Sequence, residues 1–161
     1  MPLFALAAAA LMLAPQAGAG REALGVFDSW GAFRDPSPAH CFAIAEPVRK
    51  RNGDARPFAS IATWPGQGVR NQLHVRLSRP RSVQARVTLS IGERRFELTA
   101  GDADAWAPDA RTDAAIVEAM RSGRSMSVET LAANGAPFAD VYSLKGAASA
   151  IDAAAIGCVR G

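Results

Sequence analysis

Hydrophobic and polar side chains alternate along much of the chain between residues 30 and 99, a pattern typical of strands with one buried face. The clearest run is Val83–Ile91, where every odd position is apolar. Six strands are predicted on this basis: Trp30–Phe33, His40–Val48, Pro57–Trp64, Gln72–Ser78, Val83–Ile91 and Arg94–Thr99. Turn-forming residues separate them at short intervals, which indicates antiparallel meanders or sandwiches.

Helical spacing replaces the alternation in the second half of the chain. The segment Asp113–Ser122 is predicted as a helix, with Thr112 as its N-cap and Gly123 as a left-handed residue at its end. Three further elements are predicted: the hairpin strands Ser125–Leu131 and Pro137–Leu144, and an alanine-rich helix over about Ala147–Ile156. The expected fold is mainly β, in the α+β class: an antiparallel β-sandwich or partly open barrel with one or two short helices in the C-terminal half.

The segment Gly101–Arg111 is rich in Asp, Ala and Pro, and we expect it to be a mobile loop. Trp106 within it requires a pocket, because an indole ring is largely apolar. Three carboxylates, Asp102, Asp104 and Asp109, raise the possibility of a calcium site, but their irregular spacing favours a solvated acidic loop.

The N-terminal stretch, Met1–Ala19, carries no charged side chain. It is too short to span a hydrocarbon core of about 30 Å comfortably, and Ala17-Gly18-Ala19 matches the small-residue pattern of a cleavage site. We expect a signal peptide over residues 1–19 and a single domain over residues 20–161. A buried alanine-rich helix is the alternative. No later segment is apolar for long enough to span a bilayer, so the processed chain is not expected to be transmembrane.

Two cysteines, Cys41 and Cys158, lie near the two ends of the processed chain. An even, sparse cysteine count in an exported protein is typical of a disulfide, because the periplasm is oxidising. A catalytic redox pair normally has the C-x-x-C spacing, and two cysteines without clustered histidines form a poor zinc site. We predict one Cys41–Cys158 disulfide, worth about 4–5 kcal/mol on the chain-entropy estimate.

The net charge of +3 arises from 16 Arg and 2 Lys against 15 acidic residues, which are spread along the chain. Guanidinium groups can bind phosphates or anionic lipid head groups, whereas a GC-rich genome that favours Arg codons would give the same composition. No aromatic residues are interleaved with the basic ones, as single-strand nucleic-acid binders require. Nucleic acid is therefore not an expected partner.

Signatures of common enzyme and cofactor sites are absent from the sequence: G-x-S-x-G, H-E-x-x-H, EF-hand, Walker and G-x-G-x-x-G. His40 and His74 are the histidines available as general bases, and we interpret both as ordinary strand residues. No catalytic, metal-binding or cofactor-binding residue is predicted, and no cofactor is expected. Trp64 and Trp106, at predicted loop positions, are candidate contact residues for a partner, with core packing as the alternative.

Three segments follow one another in the C-terminal half: Asp113–Met126 (DAAIVEAMRSGRSM), the turn Asn134-Gly135, and Tyr142–Gly146 (YSLKG) ahead of Cys158. This order resembles the invasion-associated locus B family of bacterial envelope proteins. The opening Phe27-Asp28-Ser29-Trp30 is similar to the family's Gly-Asp-Trp element. The resemblance implies an exported, β-rich, non-enzymatic protein of the periplasm or outer cell surface.

Three functional hypotheses remain open. The first is an interaction protein that binds another protein or envelope component, in envelope function or in contact with a host cell. The second is a structural or chaperone-like envelope protein that acts through an open sheet edge. The third is a small periplasmic hydrolase that uses His40 or His74.

Overall fold

The computed structural model describes residues 20–49 and 55–159, so the predicted signal peptide over residues 1–19 lies outside the described residues. The described strands are β1 Glu22–Phe27, β2 Trp30–Pro36, β3 Ala39–Ala45, β4 Phe58–Trp64, β5 Val69–Arg76, β6 Val87–Ile91, β7 Arg94–Ala100, β8 Asp104–Trp106, β9 Ser125–Leu131 and β10 Pro137–Ser143. The described helices are α1 Ala110–Ser122 and α2 Ala147–Val159, and a 3₁₀ turn, Pro65–Gln67, joins β4 to β5.

All ten strands belong to one antiparallel sheet in the order β1-β2-β3-β4-β5-β8-β7-β6-β9-β10. The sheet curls without closing on itself. The indole Nε1 of Trp30 in β2 donates to the carbonyl oxygen of Ser143 in β10 over 2.8 Å. Val48, just beyond β3, donates its amide to the carbonyl of Val141 in β10 over 2.7 Å. The prediction of a mainly β antiparallel fold with one or two short helices is confirmed, and of the two predicted forms, a sandwich or a partly open barrel, the single open sheet agrees with the barrel.

The core lies on the inner face of the curled sheet, against which both helices pack. Helix α2 contacts β1 to β4, and α1 contacts β5 and β7. The largest fully buried side chains are Trp30, Tyr142, Leu73, Leu77, Leu89, Ile116, Met120 and Met126. Buried alanines of α2 let this helix approach the sheet closely: Ala147, Ala150 and Ala154. Because the helices cover the inner face, the opposite face of β3, β4, β5 and β8 is turned to solvent.

The predicted disulfide is confirmed. Cys41 in β3 and Cys158 in α2 are bonded, with their Cα atoms 5.7 Å apart. Cys41 is fully buried on the inner face, so its neighbours His40 and Phe42 point to the outer face. The bond therefore ties the final helix to the back of the strand that carries His40 and Phe42 on its outer face.

One predicted strand is too long at its start. The run over residues 83–91 is a strand only from Val87 onward, and Val83 is 77% exposed. The guanidinium of Arg81 donates to three carbonyl oxygens of this turn, those of Ser82, Val83 and Ala85, over 2.8–3.1 Å. These bonds hold residues 82–85 away from the sheet despite their alternating pattern.

The prediction of a mobile loop over Gly101–Arg111 is wrong. Strand β8 lies inside this segment and pairs with β5 on one side and β7 on the other. Two of its carboxylates have structural partners: Asp104 contacts His74, and Asp109 accepts from the amide of Thr112. Asp104 therefore lies in a strand, whereas Asp102 and Asp109 are exposed, as expected for solvated acidic side chains.

Both predicted ends of α1 need correction. Asp109, not Thr112, is the N-cap, and its side chain accepts the Thr112 amide over 2.7 Å. Gly123 has an extended backbone (φ −78°, ψ 161°) rather than a left-handed one. A Cβ at Gly123 would lie 2.5 Å from Cγ2 of Ile91. Glycine is therefore needed there for space, because the helix end packs directly on β6.

Within residues 20–49 and 55–159, neither helix has the length and hydrophobicity to cross a bilayer. The same part of the chain contains no group of three or more His, Cys, Asp or Glu side chains placed to hold a metal ion.

Candidate binding groove on the outer face of the sheet

A groove of about 430 Å³ crosses the outer face of β3, β4, β5 and β8. Its floor is central strand β4, where alternation turns Phe58, Ser60, Ala62 and Trp64 outward. The two middle side chains are small, and the two end ones are large. The strand itself therefore forms a depression bounded by an aromatic ring at each end.

The neighbouring strands supply the walls. The complete lining, called the outer groove below, consists of Arg21, His40, Phe42, Ile44, Phe58, Ser60, Ala62, Trp64, Gln72, His74 and Trp106. Cross-strand register places Ile44, Ser60, His74 and Trp106 in one row across β3, β4, β5 and β8. Side chains that share a row on one face of a sheet contact each other, so this row runs continuously from one wall across the floor to the other wall.

At one end of the groove, the imidazole of His40 stacks on the indole of Trp64, with ring centroids 4.0 Å apart and planes at 5°. Nδ1 of His40 lies 3.0 Å from the carbonyl oxygen of Pro38. A carbonyl only accepts, so Nδ1 carries the proton of this bond. The tautomer and orientation of the ring are thereby fixed, and with them the position of the indole.

At the other end, His74 stacks on Trp106 with centroids 5.1 Å apart and planes at 7°. Phe58 meets the same imidazole edge-on, at 5.0 Å and 88°. Nε2 of His74 lies 2.8 Å from Oδ1 of Asp104. Trp106 remains 36% exposed. This end therefore presents a partly exposed indole on a rigid support of stacking and hydrogen bonding.

The charges beside the groove are paired. Arg21 donates from Nε and a terminal nitrogen to both carboxylate oxygens of Asp35 over 2.7 and 2.8 Å. This hydrogen bonding lowers the pKa of Asp35 below its ordinary value and raises that of Arg21. Arg76 donates to both oxygens of Asp104 over 3.2 Å. Each guanidinium is matched by a carboxylate, so the rim has little net charge.

The arrangement does not provide an activated serine nucleophile. Ser60 lies across from His74, but its hydroxyl faces the backbone carbonyl of His74, 3.5 Å away. A hydrolytic Ser–His pair requires the hydroxyl to hydrogen bond to the imidazole ring. The outer groove instead offers flat apolar faces with a few fixed polar atoms between them.

The structure brings the two predicted contact residues, Trp64 and Trp106, into the same groove, together with both histidines. It does not place them on loops: Trp64 ends β4 and Trp106 ends β8. Arg21 and Phe58 are groove residues that sequence reasoning missed. Period-two alternation across β4 could have identified Phe58, whereas Arg21 lies before any predicted strand.

Three larger cavities lie elsewhere, and two of them adjoin Phe138. One of these two, of about 580 Å³, includes Val48, Arg79 and Asp140, and the other, of about 700 Å³, is a shallow surface near Arg86. The third, of about 470 Å³, includes Leu24 and Ile156. Phe138 is covered by the guanidinium of Arg79, 4.9 Å from the ring centroid. None of the three cavities has indole or imidazole groups in its lining, so the outer groove is the stronger candidate site.

Comparison with known proteins agrees with the sequence resemblance. The model of the invasion associated locus B protein family matches residues 32–155. The chain belongs to this family. The matched segment contains both tryptophans and both histidines of the outer groove, whereas Arg21 and Cys158 lie outside it.

A solved structure of similar fold is the crystal structure of invasion associated protein b from Bartonella henselae. The two folds superpose with a TM-score of 0.59 at 15% sequence identity, over 85% of this chain and 98% of the other. No match was found among curated proteins. The locus B family membership and the fold are therefore established, and the function must be argued from the groove.

Proposed function

We propose that this member of the invasion-associated locus B family is an exported, non-enzymatic interaction protein. It binds another protein or an envelope component through the outer groove, in the periplasm or on the outer cell surface. The observation that carries the proposal is the convergence of Trp64 and Trp106, each stacked on a histidine, around one depression. Aromatic rings in a pocket with few polar groups are typical of binding sites.

Export is supported by two independent features. Residues 1–19 have the apolar run and small-residue cleavage pattern of a signal peptide. The Cys41–Cys158 disulfide persists in oxidising compartments and is rare in the bacterial cytosol. The structural relative from Bartonella henselae is named an invasion associated protein, and contact with a host cell is one setting in which a surface-exposed groove would act.

A non-enzymatic role is supported by the hydroxyl that lies beside the histidines. Asp104 orients the ring of His74, as a carboxylate does in a catalytic triad. The Ser60 hydroxyl, however, faces a backbone carbonyl oxygen and not an imidazole nitrogen. The hydrolase hypothesis predicts an activity that is lost on His74→Ala while the fold stays intact.

The sheet-edge hypothesis has one observation in its favour. Strand β1 is at the end of the sheet order, and Val26 on it is 76% exposed. A bulge between Ala23 and Gly25 interrupts the register of this strand, which is a common protection of edges against pairing. The other end strand, β10, already receives the amide of Val48. Edge pairing is therefore the second candidate.

Site-specific photo-crosslinking in intact cells tests the groove. A photoreactive residue at Gln72, inside the groove, should capture a discrete envelope component, whereas one at Glu97, on the exposed outer face of β7, should not. Equal capture at both positions, or capture only from an edge position such as Val26, would contradict binding through the groove.

Export is tested separately. The N-terminal sequence of the protein isolated from the envelope fraction should begin at Gly20. A chain that starts at Met1 and stays in the cytosol would refute the proposed location.

A further inference from the structure

We infer that the outer groove binds an uncharged carbohydrate. This inference rests on the proposed function, since it requires the groove to be a binding site, and adds the chemical class of the ligand. The competing classes are an anionic ligand, such as a phosphate or sulfate ester, and an apolar peptide side chain. Charge, ring geometry and hydrogen-bonding capacity distinguish them.

The charges argue against an anion. Arg21, which lines the groove, already donates two hydrogen bonds to Asp35, and Arg76 beside it donates two to Asp104. An anionic ligand would have to compete with these bidentate carboxylates and would approach their negative charges. A ligand without net charge meets no such penalty. The paired guanidinium and carboxylate groups still have further N–H donors and lone pairs for hydrogen bonding.

The polar atoms suit a ligand rich in hydroxyl groups. Nδ1 of His40 bonds Pro38, and its Nε2 lies 3.7 Å from Oδ2 of Asp35, too far for a hydrogen bond. In the uncharged imidazole, Nε2 of His40 is therefore an acceptor, and so is Nδ1 of His74, whose Nε2 bonds Asp104. With the amide of Gln72 and the hydroxyl of Ser60, the groove offers acceptors and donors to neutral O–H groups. An apolar side chain would leave them unpaired at a cost.

The rings suit a pyranose. A sugar ring has one largely C–H face, which packs on flat aromatic surfaces, while its hydroxyls lie around the equator. Trp106 is 36% exposed, and its plane is fixed by His74. Trp64 is held in the same way at the other end. The volume of about 430 Å³ falls within the range of about 300–1,000 Å³ that small-ligand sites occupy.

The test uses protein isolated from cells that express the full chain, with the disulfide formed. Neutral, sialylated and sulfated oligosaccharides are screened on a glycan array, and the strongest neutral binder is titrated by calorimetry and tryptophan fluorescence. We expect saturable binding of neutral glycans, weakened about tenfold or more by Trp106→Ala. Trp106→Phe, which keeps a stacking surface, should restore part of the affinity.

Phe138→Ala is the matched control, because this aromatic lies in two of the other cavities, and it should leave glycan affinity unchanged. Thermal unfolding of each variant shows whether its fold is intact. Preference for sulfated or sialylated glycans, equal loss in Phe138→Ala, or no glycan binding at all would overturn the inference. If Gln72 still captures an envelope protein in cells while no glycan binds, the ligand class is wrong and the proposed function stands. If neither occurs, both are wrong.

Discussion

Two carboxylates four residues apart respond in opposite ways to their surroundings. Asp113 in α1 is buried, and loss of hydration raises its pKa above the ordinary value of 3.8, although the amide of Leu73, 2.8 Å away, opposes the shift. Asp109 caps the same helix in the open, and the bond from the Thr112 amide lowers its pKa. Proton linkage therefore gives the two groups opposite pH dependence.

The sign of each group's pH dependence follows from the direction of its pKa shift. The stabilisation contributed by Asp113 is present below the ordinary aspartate pKa and is lost as the pH rises through its raised value. Asp113→Asn keeps an oxygen for the Leu73 amide without the buried charge. We therefore expect the stability of this variant, relative to the native protein, to increase between pH 4 and pH 7. Urea unfolding at the two pH values measures it.

Asp109→Asn provides the control of opposite sign, because Asn is also a good N-cap and the lost carboxylate had a lowered pKa. The relative stability of this variant should change below pH 4 instead, and should decrease as the pH rises toward the ordinary value of 3.8. Equal pH trends for the two variants would show that burial of Asp113 does not govern its protonation.

Single residues of the groove were only partly predictable. Alternation in β5 placed Leu73 and Val75 on one face and His74 on the other, as observed. It could not show that His74 lies between Trp106 and Phe58, because those rings come from strands distant in sequence. The face of the sheet that a side chain occupies is a local property of its strand, whereas the side chains that it contacts are set by the order of the strands in the sheet.

At the scale of elements, predictions failed where long-range bonds override local pattern. Residues 83–86 alternate as a strand, but Arg81, which also donates to the carbonyls of Ala100 and Gly101, holds them in a turn. Strand β8 has three residues in an Asp- and Ala-rich segment, and it exists because β5 and β7 pair with both of its edges. Helix α2 was predicted because its alanine-rich sequence suffices for a helix.

The turn from β10 into α2 depends on Gly146. Its φ is +87°, and a Cβ would overlap the carbonyl oxygen of Phe27. Gly135, in the β9–β10 turn, has a similar φ of +83° with open space around it. We expect Gly135→Ala to cost about 1–2 kcal/mol, from backbone strain alone.

Gly146→Ala adds a steric conflict with backbone that a side-chain rotation cannot relieve, so a loss of about 3 kcal/mol or more is expected. Chemical denaturation of both variants compares the two costs. Equal losses would mean that the hairpin turn near Phe27 moves away freely, and that the contact between the first turn and the last helix is weak.

At the scale of the whole molecule, one covalent bond links the beginning of the fold to its end. The Cys41–Cys158 disulfide joins residues 117 positions apart. The loop that it closes contains β4 to β10, all of α1 and most of α2. Cys41 lies between His40 and Phe42, so the bond fixes α2 behind the groove wall. The stability of the molecule and the rigidity of the groove therefore depend on the same link.

The double variant Cys41→Ala with Cys158→Ala should have a free energy of unfolding about 5 kcal/mol lower than the native protein, because the bond no longer reduces the entropy of the unfolded chain by closing so long a loop. Such a loss is a large fraction of the total for one domain of ordinary stability, about 5–15 kcal/mol. Urea unfolding of the native protein with and without reductant, beside the double variant, makes the measurement. Reductant should shift the native midpoint toward that of the variant and leave the variant unchanged. The urea midpoint of the native protein under oxidising conditions could instead coincide with that of the variant. In that case packing of α2 on β1 to β4 would be enough to hold the chain ends together, and the groove wall would not depend on the disulfide behind it.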